Sequence, residues 1–402
     1  MFANSHKQGS VFSDVIFNSS KSAQKRIAVV GAEPVINGTI GALTDDTGTL
    51  VTFQEIDSLL QHIDMKKLSN YAPLEGYPMF LEAMTHLCFE SYMPKRHIAS
   101  TAVAGGLAGI RQAIFNYTEI GDSVIIPDWN WAPYYTIMSD NYRKVTEFSM
   151  IHDNAFNLES FKQTVSAVAE EQKTVFIIFN SPAHNPTGYS VKKDEWDAII
   201  NFLNGIDRNI ILFQDVAYID FSDPEQKALF QWLDACKDHI LSIVNYSISK
   251  GYAKYGLRTA ALFALHNDDA VLQEFKNIIT ISNRSCYGSS PATGQLLMAA
   301  LWNDKDSLDS FFKTRAYWHG ILKQRAQTFL KNVDPQLIMP FDDGFFVSLK
   351  SDHPAQDVAA LMEKDVFLVP LPHGIRIALC SVPDAKLARC AEIVNATVTV
   401  SV

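Results

Sequence analysis

An α/β fold with a mainly parallel sheet and a smaller second α/β domain is predicted, on three observations. Through the middle of the chain, short and nearly continuous apolar runs alternate with amphipathic helical stretches. Residues able to do chemistry stand where those runs stop. Beyond about residue 305 the pattern changes, with one long helical stretch followed by a shorter set of alternating elements.

The runs DSVIIP, TVFIIF, NIILFQD, ILSIVNYSIS and TAALFAL read as strands, and LESFKQTVSAVAEEQ and DEWDAIINFLNGI as the helices between them. Strands with so little polar alternation belong to a sheet covered on both faces, which favours parallel pairing. The stretch SLDSFFKTRAYWHGILKQRAQTFLKNV then leads into GFFVSLK, AQDVAALMEKD, VFLVPL, GIRIALC and AKLARCAEIV, a second domain of strands and helices. Three parts are expected: residues 1–49 as an N-terminal arm and part of the small domain, 50–305 as the large domain, and 306–402 as the C-terminal small domain.

Composition narrows the function classes. The 402 residues are 47% hydrophobic, enough for a large core, and carry a net charge of -10 with no basic stripe for a phosphate backbone. Small molecules are therefore the expected partners, and nucleic acid is not. The cysteines Cys88, Cys236, Cys286, Cys380 and Cys390 are odd in number and form no CxxC pair, so free thiols in a reducing cytoplasm are expected, with no zinc site. The opening MFANSHKQGS lacks the pattern of an export signal, and no apolar stretch is long enough to suggest a membrane span.

Ligands of open α/β sheets sit at the carboxyl ends of the strands, which directs attention to Trp129, Asn185, Asp215 and Lys250. In SISKGYAKYGLR, Ser247 and Arg258 flank Lys250; hydroxyl and guanidinium together make a phosphate grip while the amine is left for chemistry. Gly105, Gly106 and Gly109 stand where a helix begins, a place where backbone N–H groups attract anions, although glycines there also serve backbone geometry alone. Asp215 ends an apolar strand with Tyr218 three residues on. That carboxylate reads either as a turn former or as the partner of a basic ring nitrogen, with the phenol beside a ring oxygen. Asn185 lies in an Asn-Pro turn where a cis bond is open. Trp129 offers a flat face or a core ring.

Taken in order, N-x-x-x-G-A, Y-x-P-x-x-G, G-G followed by P-x-W, N-P-T-G, D-x-A-Y, S-x-x-K with Arg eight residues later and a late R-I run from Asn37 to Arg376. This series resembles class I aminotransferases of the aspartate and aromatic type, pyridoxal-phosphate enzymes of fold type I. The resemblance implies a large domain with a sheet of the seven-stranded kind and pyridoxal 5'-phosphate as cofactor. It also implies a homodimer with shared sites, transferring an amino group from an acidic or aromatic L-amino acid to a 2-oxo acid such as 2-oxoglutarate.

Residue by residue, it implies that Lys250 forms the Schiff base and that Asp215 pairs with the pyridine nitrogen. Tyr218 and Asn185 would bond the ring oxygen, and Trp129 would stack on the ring. Ser247, Arg258 and the Gly105-Gly106-Leu107 turn would hold the phosphate, joined by Tyr71 of the partner subunit. Arg376 would clamp the substrate α-carboxylate, with Asn185, Trp129, Ile40 and Gly41 beside the substrate. The position of Arg376 inside an apolar strand supports a bound carboxylate, because an unpaired buried charge is costly.

The chain departs from the family pattern in three places. Gly105, Gly106 and Leu107 stand where Ser-Gly-Thr is usual, so two phosphate-binding hydroxyls are missing. Ala132 stands where a histidine often supports the aspartate. In RSCYGSSPATG, Arg284 and Tyr287 match the motif that reads dicarboxylate side chains, but the following Asn-Pro does not. Arg284 therefore has two readings, side-chain recognition or a cation complementing a helix end. Other reactions on the same cofactor (C-S lysis, decarboxylation, racemisation) use the same lysine, aspartate and arginine. A cofactor-binding regulatory module is a further reading, and it calls for a basic helix-turn-helix segment.

Overall fold

The computed structural model describes residues 2, 7, 8 and 14–400; the opening segment, where no export signal is expected, lies mostly outside them. The chain divides into two compact units. The larger comprises Leu50–Gln324 and Met339–Phe346, and the smaller Met1–Thr49, Arg325–Ile338 and Val347–Val402.

The larger unit is built on seven strands: β1 (His97–Val103), β2 (Ser123–Pro127), β3 (Lys144–Phe148), β4 (Thr174–Phe179), β5 (Asn209–Asp215), β6 (Ile240–Ser247) and β7 (Ala260–His266). They lie side by side in the order β1-β7-β6-β5-β4-β2-β3. Every pair is parallel except the two that involve β7. All residues of β2, β6 and β7 are buried, as the near-continuous apolar runs require of strands covered on both faces. The edge strand β3 is half exposed, and its KVTEF sequence is correspondingly mixed.

One apolar cluster fills one side of the sheet, with Ile126, Ile178, Phe213 and Ile243 from the strands packed against Ile110, Ile114, Tyr134 and Phe275 from the helices. Local signals fix the helix starts. The Asn157 side chain accepts from Ser160 N at 3.1 Å to begin helix Leu158–Glu171, and Asp268 caps Asp269–Tyr287 in the same way.

The topology sets one rim of the sheet apart. Strands β2, β4, β5 and β6 finish there, and antiparallel β7 starts there, since Ala260 is the register partner of both Ser247 and Val103. Gly105, Ser247 and Arg258, remote in sequence, are thereby delivered to neighbouring positions.

In the smaller unit, β8 (Phe346–Lys350), β9 (Val369–Leu371) and β10 (Gly374–Ala378) form a sheet in the order β8-β10-β9. Helices Val15–Val30, Pro354–Glu363 and Asp384–Asn395 accompany it. Ile36–Asn37 pairs in parallel with Val366–Phe367, which draws the N-terminal segment into this unit. The boundary expected at 305/306 coincides with the start of helix Lys305–Asn332, whereas the division falls inside that helix, between Gln324 and Arg325. An unbroken helical repeat carries no mark of such a division. Among the described residues, no helix is long and apolar enough to cross a membrane.

Candidate active site

A cavity opens at the rim where the strands finish, and the ends of β4, β5 and β6 supply its floor. Asp215, the last residue of β5, lines it and is buried. Removal from water pushes its carboxyl up to about 6, against the opposing pull of donors from Tyr134, Asn245, the Ala217 N–H and Asn180. Tyr134 Oη donates to Asp215 Oδ2 at 2.8 Å, and Asn245 Nδ2 approaches Oδ1 at 3.4 Å. Asn180 Nδ2 donates to the Asp215 carbonyl at 2.8 Å, fixing the turn. These side-chain donors are neutral. A cation placed against this dry carboxylate would gain strongly from it, as a protonated ring nitrogen would.

Lys250 follows β6 by one turn, in the short helix Ile248–Gly251 capped by Ser247. Its Nζ lies 4.8 Å from the ring centre of Tyr255, 5.7 Å from Tyr218 and 5.9 Å from Phe345. Directly beneath, Gly251 touches Asp220, where a side chain would collide with the carboxylate. Burial alone would raise the Asp220 carboxyl, but Arg315 (2.7 Å) and Lys227 (3.3 Å) outweigh it and hold it below the ordinary range. Tyr246 donates to the same carboxylate at 2.7 Å, and Glu90 closes the group through Lys227 and Arg315. The lysine turn thus rests on a buried, charge-balanced base.

Tyr218 is buried, and Asn185 Nδ2 donates to its hydroxyl at 3.4 Å. Asn185 is set by its own N–H, which donates to Asn180 Oδ1 at 2.7 Å. The cis peptide recorded among the described residues is Ser181-Pro182, and the Asn185-Pro186 turn is not among the cis bonds.

An anion grip forms beside Lys250. Ser247 Oγ donates to Ser249 Oγ at 2.8 Å, and Arg258 Nη1 reaches Ser249 Oγ at 3.3 Å and the Tyr255 carbonyl at 2.8 Å. Helix Gly106–Tyr117 starts alongside with no capping side chain on its first N–H groups, so these are available to an anion. Gly105 holds a left-handed φ of 85°, and a Cβ there would stand 2.8 Å from Arg258 Nη2. Gly106 and Gly109 face Asn245, whose amide donates to the Gly106 carbonyl at 3.2 Å. Close approach therefore requires glycine at 105 and 109, whereas a Cβ on Gly106 would meet Asn245 Nδ2 at a tight 3.2 Å. Two hydroxyls, a guanidinium and a helix start fit a phosphate, and the buried carboxylate and lysine fit the rest of the expected cofactor.

The aromatic wall of the cavity is Trp131; Trp129, expected to stack on the ring, is buried and is not among the lining residues. Asp128 Oδ1 accepts from both Trp129 N and Met150 N, which ties the start of the PDWNWAP turn to the strand region. Trp131, further along, packs edge-on against Tyr134 at 5.5 Å and 88°. Leu107 and Ile110 line the same cavity. Ser249, Asn180, Asn245, Tyr134 and Trp131 were not singled out from the sequence. Ser249, inside the S-x-x-K motif, and Asn180, directly after the run TVFIIF, carried a sequence signal.

Tyr71 is 88% exposed and does not line this cavity. Arg284 is exposed in the last turn of helix Asp269–Tyr287 and does not line it either. Nearby Tyr287 is engaged with Gln112 at 2.6 Å and Asn283 at 2.7 Å. In the smaller unit, Arg376 is buried in β10 and its Nη2 donates to the Thr39 carbonyl at 2.8 Å, which brings Ile40 and Gly41 beside it. Elsewhere, Asp223, His319 and Asp343 converge, but the Lys323 ammonium lies among them and already supplies the positive charge.

Comparison with known proteins agrees with this arrangement. Residues 33–394 match the family "Aminotransferase class I and II". An aromatic-amino-acid aminotransferase of Escherichia coli (strain K12) is 24% identical over 277 residues, covering 67% of this chain and 69% of that protein. The crystal structure of an aminotransferase from Anaerococcus prevotii superposes with a TM-score of 0.96 at 27% identity, covering all of both chains. A Burkholderia pseudomallei aromatic-amino-acid aminotransferase, solved covalently bound to pyridoxal phosphate, shares the fold with a TM-score of 0.82 at 16% identity, covering 99% of this chain and 100% of that one. With nearly its whole length matched, the chain belongs to the class I and II aminotransferase family.

Proposed function

We propose that the protein is a pyridoxal-phosphate-dependent aminotransferase acting on an acidic or aromatic L-amino acid, with a 2-oxo acid such as 2-oxoglutarate as acceptor. The observation that carries this reading is the convergence of Lys250, Asp215 and the Ser247-Ser249-Arg258 grip on one cavity. Curated relatives named as aromatic and aspartate aminotransferases support the substrate range.

When bound, pyridoxal phosphate supplies an electron sink for negative charge developing at the substrate Cα. Lys250 Nζ would hold the cofactor covalently and, once freed by the substrate amine, would take the proton from the substrate Cα and deliver it to the cofactor carbon that had carried the lysine. Asp215 keeps a proton on the ring nitrogen. Tyr218 and Asn185 orient the ring oxygen, and Trp131 screens the ring from water. Arg258, Ser247, Ser249 and the start of helix Gly106–Tyr117 anchor the phosphate. Arg376 binds the substrate α-carboxylate beside Ile40 and Gly41. A cytoplasmic homodimer in which Tyr71 of the partner subunit completes the phosphate site is part of the same proposal; the strong exposure of Tyr71 within one chain is consistent with it.

The test is the half-reaction in a single turnover. Glutamate, aspartate or an aromatic amino acid converts the bound cofactor stoichiometrically to its pyridoxamine form and releases the 2-oxo acid. Release of ammonia or pyruvate without that conversion would overturn transamination in favour of a lyase. An amino-donor panel with 2-oxoglutarate then fixes the substrate. Within it, Arg284→Leu separates the two readings of Arg284: selective loss of aspartate turnover supports side-chain recognition, and equal losses exclude it.

A further inference from the structure

We infer that Tyr134 is a positioning residue for this reaction: its hydroxyl holds the Asp215 carboxylate ionised and aimed at the cofactor ring, where Ala132 leaves the family's usual histidine absent. The inference rests on the reading of Asp215 as the partner of the ring nitrogen.

Three observations support it. The 2.8 Å bond from Tyr134 Oη to Oδ2 is the short side-chain contact of the Asp215 carboxylate, since Asn245 stands off at 3.4 Å. Packing does not require the hydroxyl. Tyr134 sits in the apolar cluster with Ile126, Ile137 and Phe213, where a phenylalanine would serve equally well. The position is also well determined: Tyr134 is the second residue of helix Pro133–Asp140, directly after the proline at its first position, and the Trp131 ring packs edge-on against its own. A donor held this firmly in a dry site is worth more to an anion than the same bond in water.

The titratable groups facing Asp215 are few. Tyr134 comes from helix Pro133–Asp140 and Tyr218 from the turn after β5, and Tyr218 adds to the resistance of Tyr134 to ionisation. Lys250, Tyr255 and Arg258 line the same cavity. His184, buried in the loop after β4, is lowered to about 3 by desolvation and stays neutral near pH 7. Burial, and then proximity to Asp215, raises the Tyr134 phenol well above its ordinary value, so it remains a donor throughout.

The sign of the effect follows. A donor to the carboxylate favours the anion, so its removal raises the pH at which Asp215 takes up a proton, by about one unit for a bond to a charged group. In Tyr134→Phe, pyridoxal phosphate binding to the full chain, followed by absorbance, therefore matches wild type at pH 8.5. It becomes roughly fivefold weaker than wild type at pH 6, as a one-unit shift dictates. Replacing Tyr134 by 3-fluorotyrosine, a more acidic phenol and stronger donor, moves the midpoint the other way. Equal melting temperatures of the cofactor-free Tyr134→Phe and wild-type proteins at pH 8.5 exclude a general loss of structure. An affinity ratio independent of pH, or a midpoint unmoved by fluorination, would overturn the inference. Asp215→Asn separates the two layers. Wild-type cofactor affinity in Asp215→Asn at every pH would sink the reading of Asp215 itself; weakened binding there, with Tyr134→Phe tracking wild type, sinks the role of Tyr134 alone.

Discussion

The Arg258 guanidinium passes so close to Gly105 that a Cβ on the glycine would stand 2.8 Å from Nη2 and 3.1 Å from Cζ. The anion grip thus depends on a residue that contributes no side chain to it. Gly105→Ala carries two penalties, a left-handed φ of 85° that costs about 1 kcal/mol without glycine and a displaced guanidinium. The expected result is a folded protein with cofactor affinity reduced about tenfold, measured by titrating cofactor-free protein with pyridoxal phosphate.

Lys250 and Lys254 should separate cleanly. Lys250→Ala is expected to abolish the absorbance of the covalent cofactor linkage near neutral pH, and Lys254→Ala to leave it in place. Lys254 is instead paired with Asp57 of helix Gln54–Gln61 and is 9% exposed. Its replacement should lower stability by about 1–2 kcal/mol, discounted from a fully buried pair because Asp57 is partly exposed. Urea denaturation of both variants checks this, and an unchanged spectrum in Lys250→Ala would refute its assignment.

Asp215 and Asp220 should respond to pH in opposite directions. Asp215 in the cofactor-free protein sits at about 6, above the ordinary 3.8, so the folded state binds its proton more tightly than the unfolded chain. Its cost is fully present above pH 6 and is relieved as pH falls toward 4. Asp215→Asn should therefore stabilise the cofactor-free protein by about 3 kcal/mol at pH 8 and by little at pH 4. Denaturant titrations at the two pH values measure the difference.

Asp220 lies below its ordinary value, so it contributes stability that is present above about pH 4 and lost as pH falls through the lower folded value. Asp220→Asn leaves Arg315 and Lys227 facing a neutral group in a buried site, which costs about 3–5 kcal/mol. The loss should be largest near neutral pH and shrink in acid. Thermal unfolding across pH 3 to 8 follows it.

The sheet was legible because its inner strands are apolar on both faces; SVIIP and ILSIVNYS need no alternation to be read as strands. The edge strand Lys144–Phe148 escaped because half-exposed residues give it no such run. Lys250, Asp215, Tyr218, Asn185, Ser247 and Arg258 could be named because they sit at strand ends or inside short motifs. Tyr134 and Asn245 could not. Tyr134 reaches Asp215 across 81 positions of sequence, and Asn245 does so from inside a buried strand whose pattern records only burial. The choice between Trp129 and Trp131 was equally hidden, since both lie in one turn and only its tertiary anchoring decides which ring reaches the cavity.

The antiparallel pairing of β7 with β6 turns the length of a loop into a ruler. Ser247 and Ala260 are locked opposite each other, so the chain between them must return to its starting point, carrying the lysine outward and the arginine home. The separation of the Lys250 amine and the Arg258 guanidinium is consequently set by the number of residues in that excursion. Left-handed turns at Ala253 and Arg258 fold the excursion to fit. Inserting or deleting a single residue within it would break the spacing between the amine and the guanidinium.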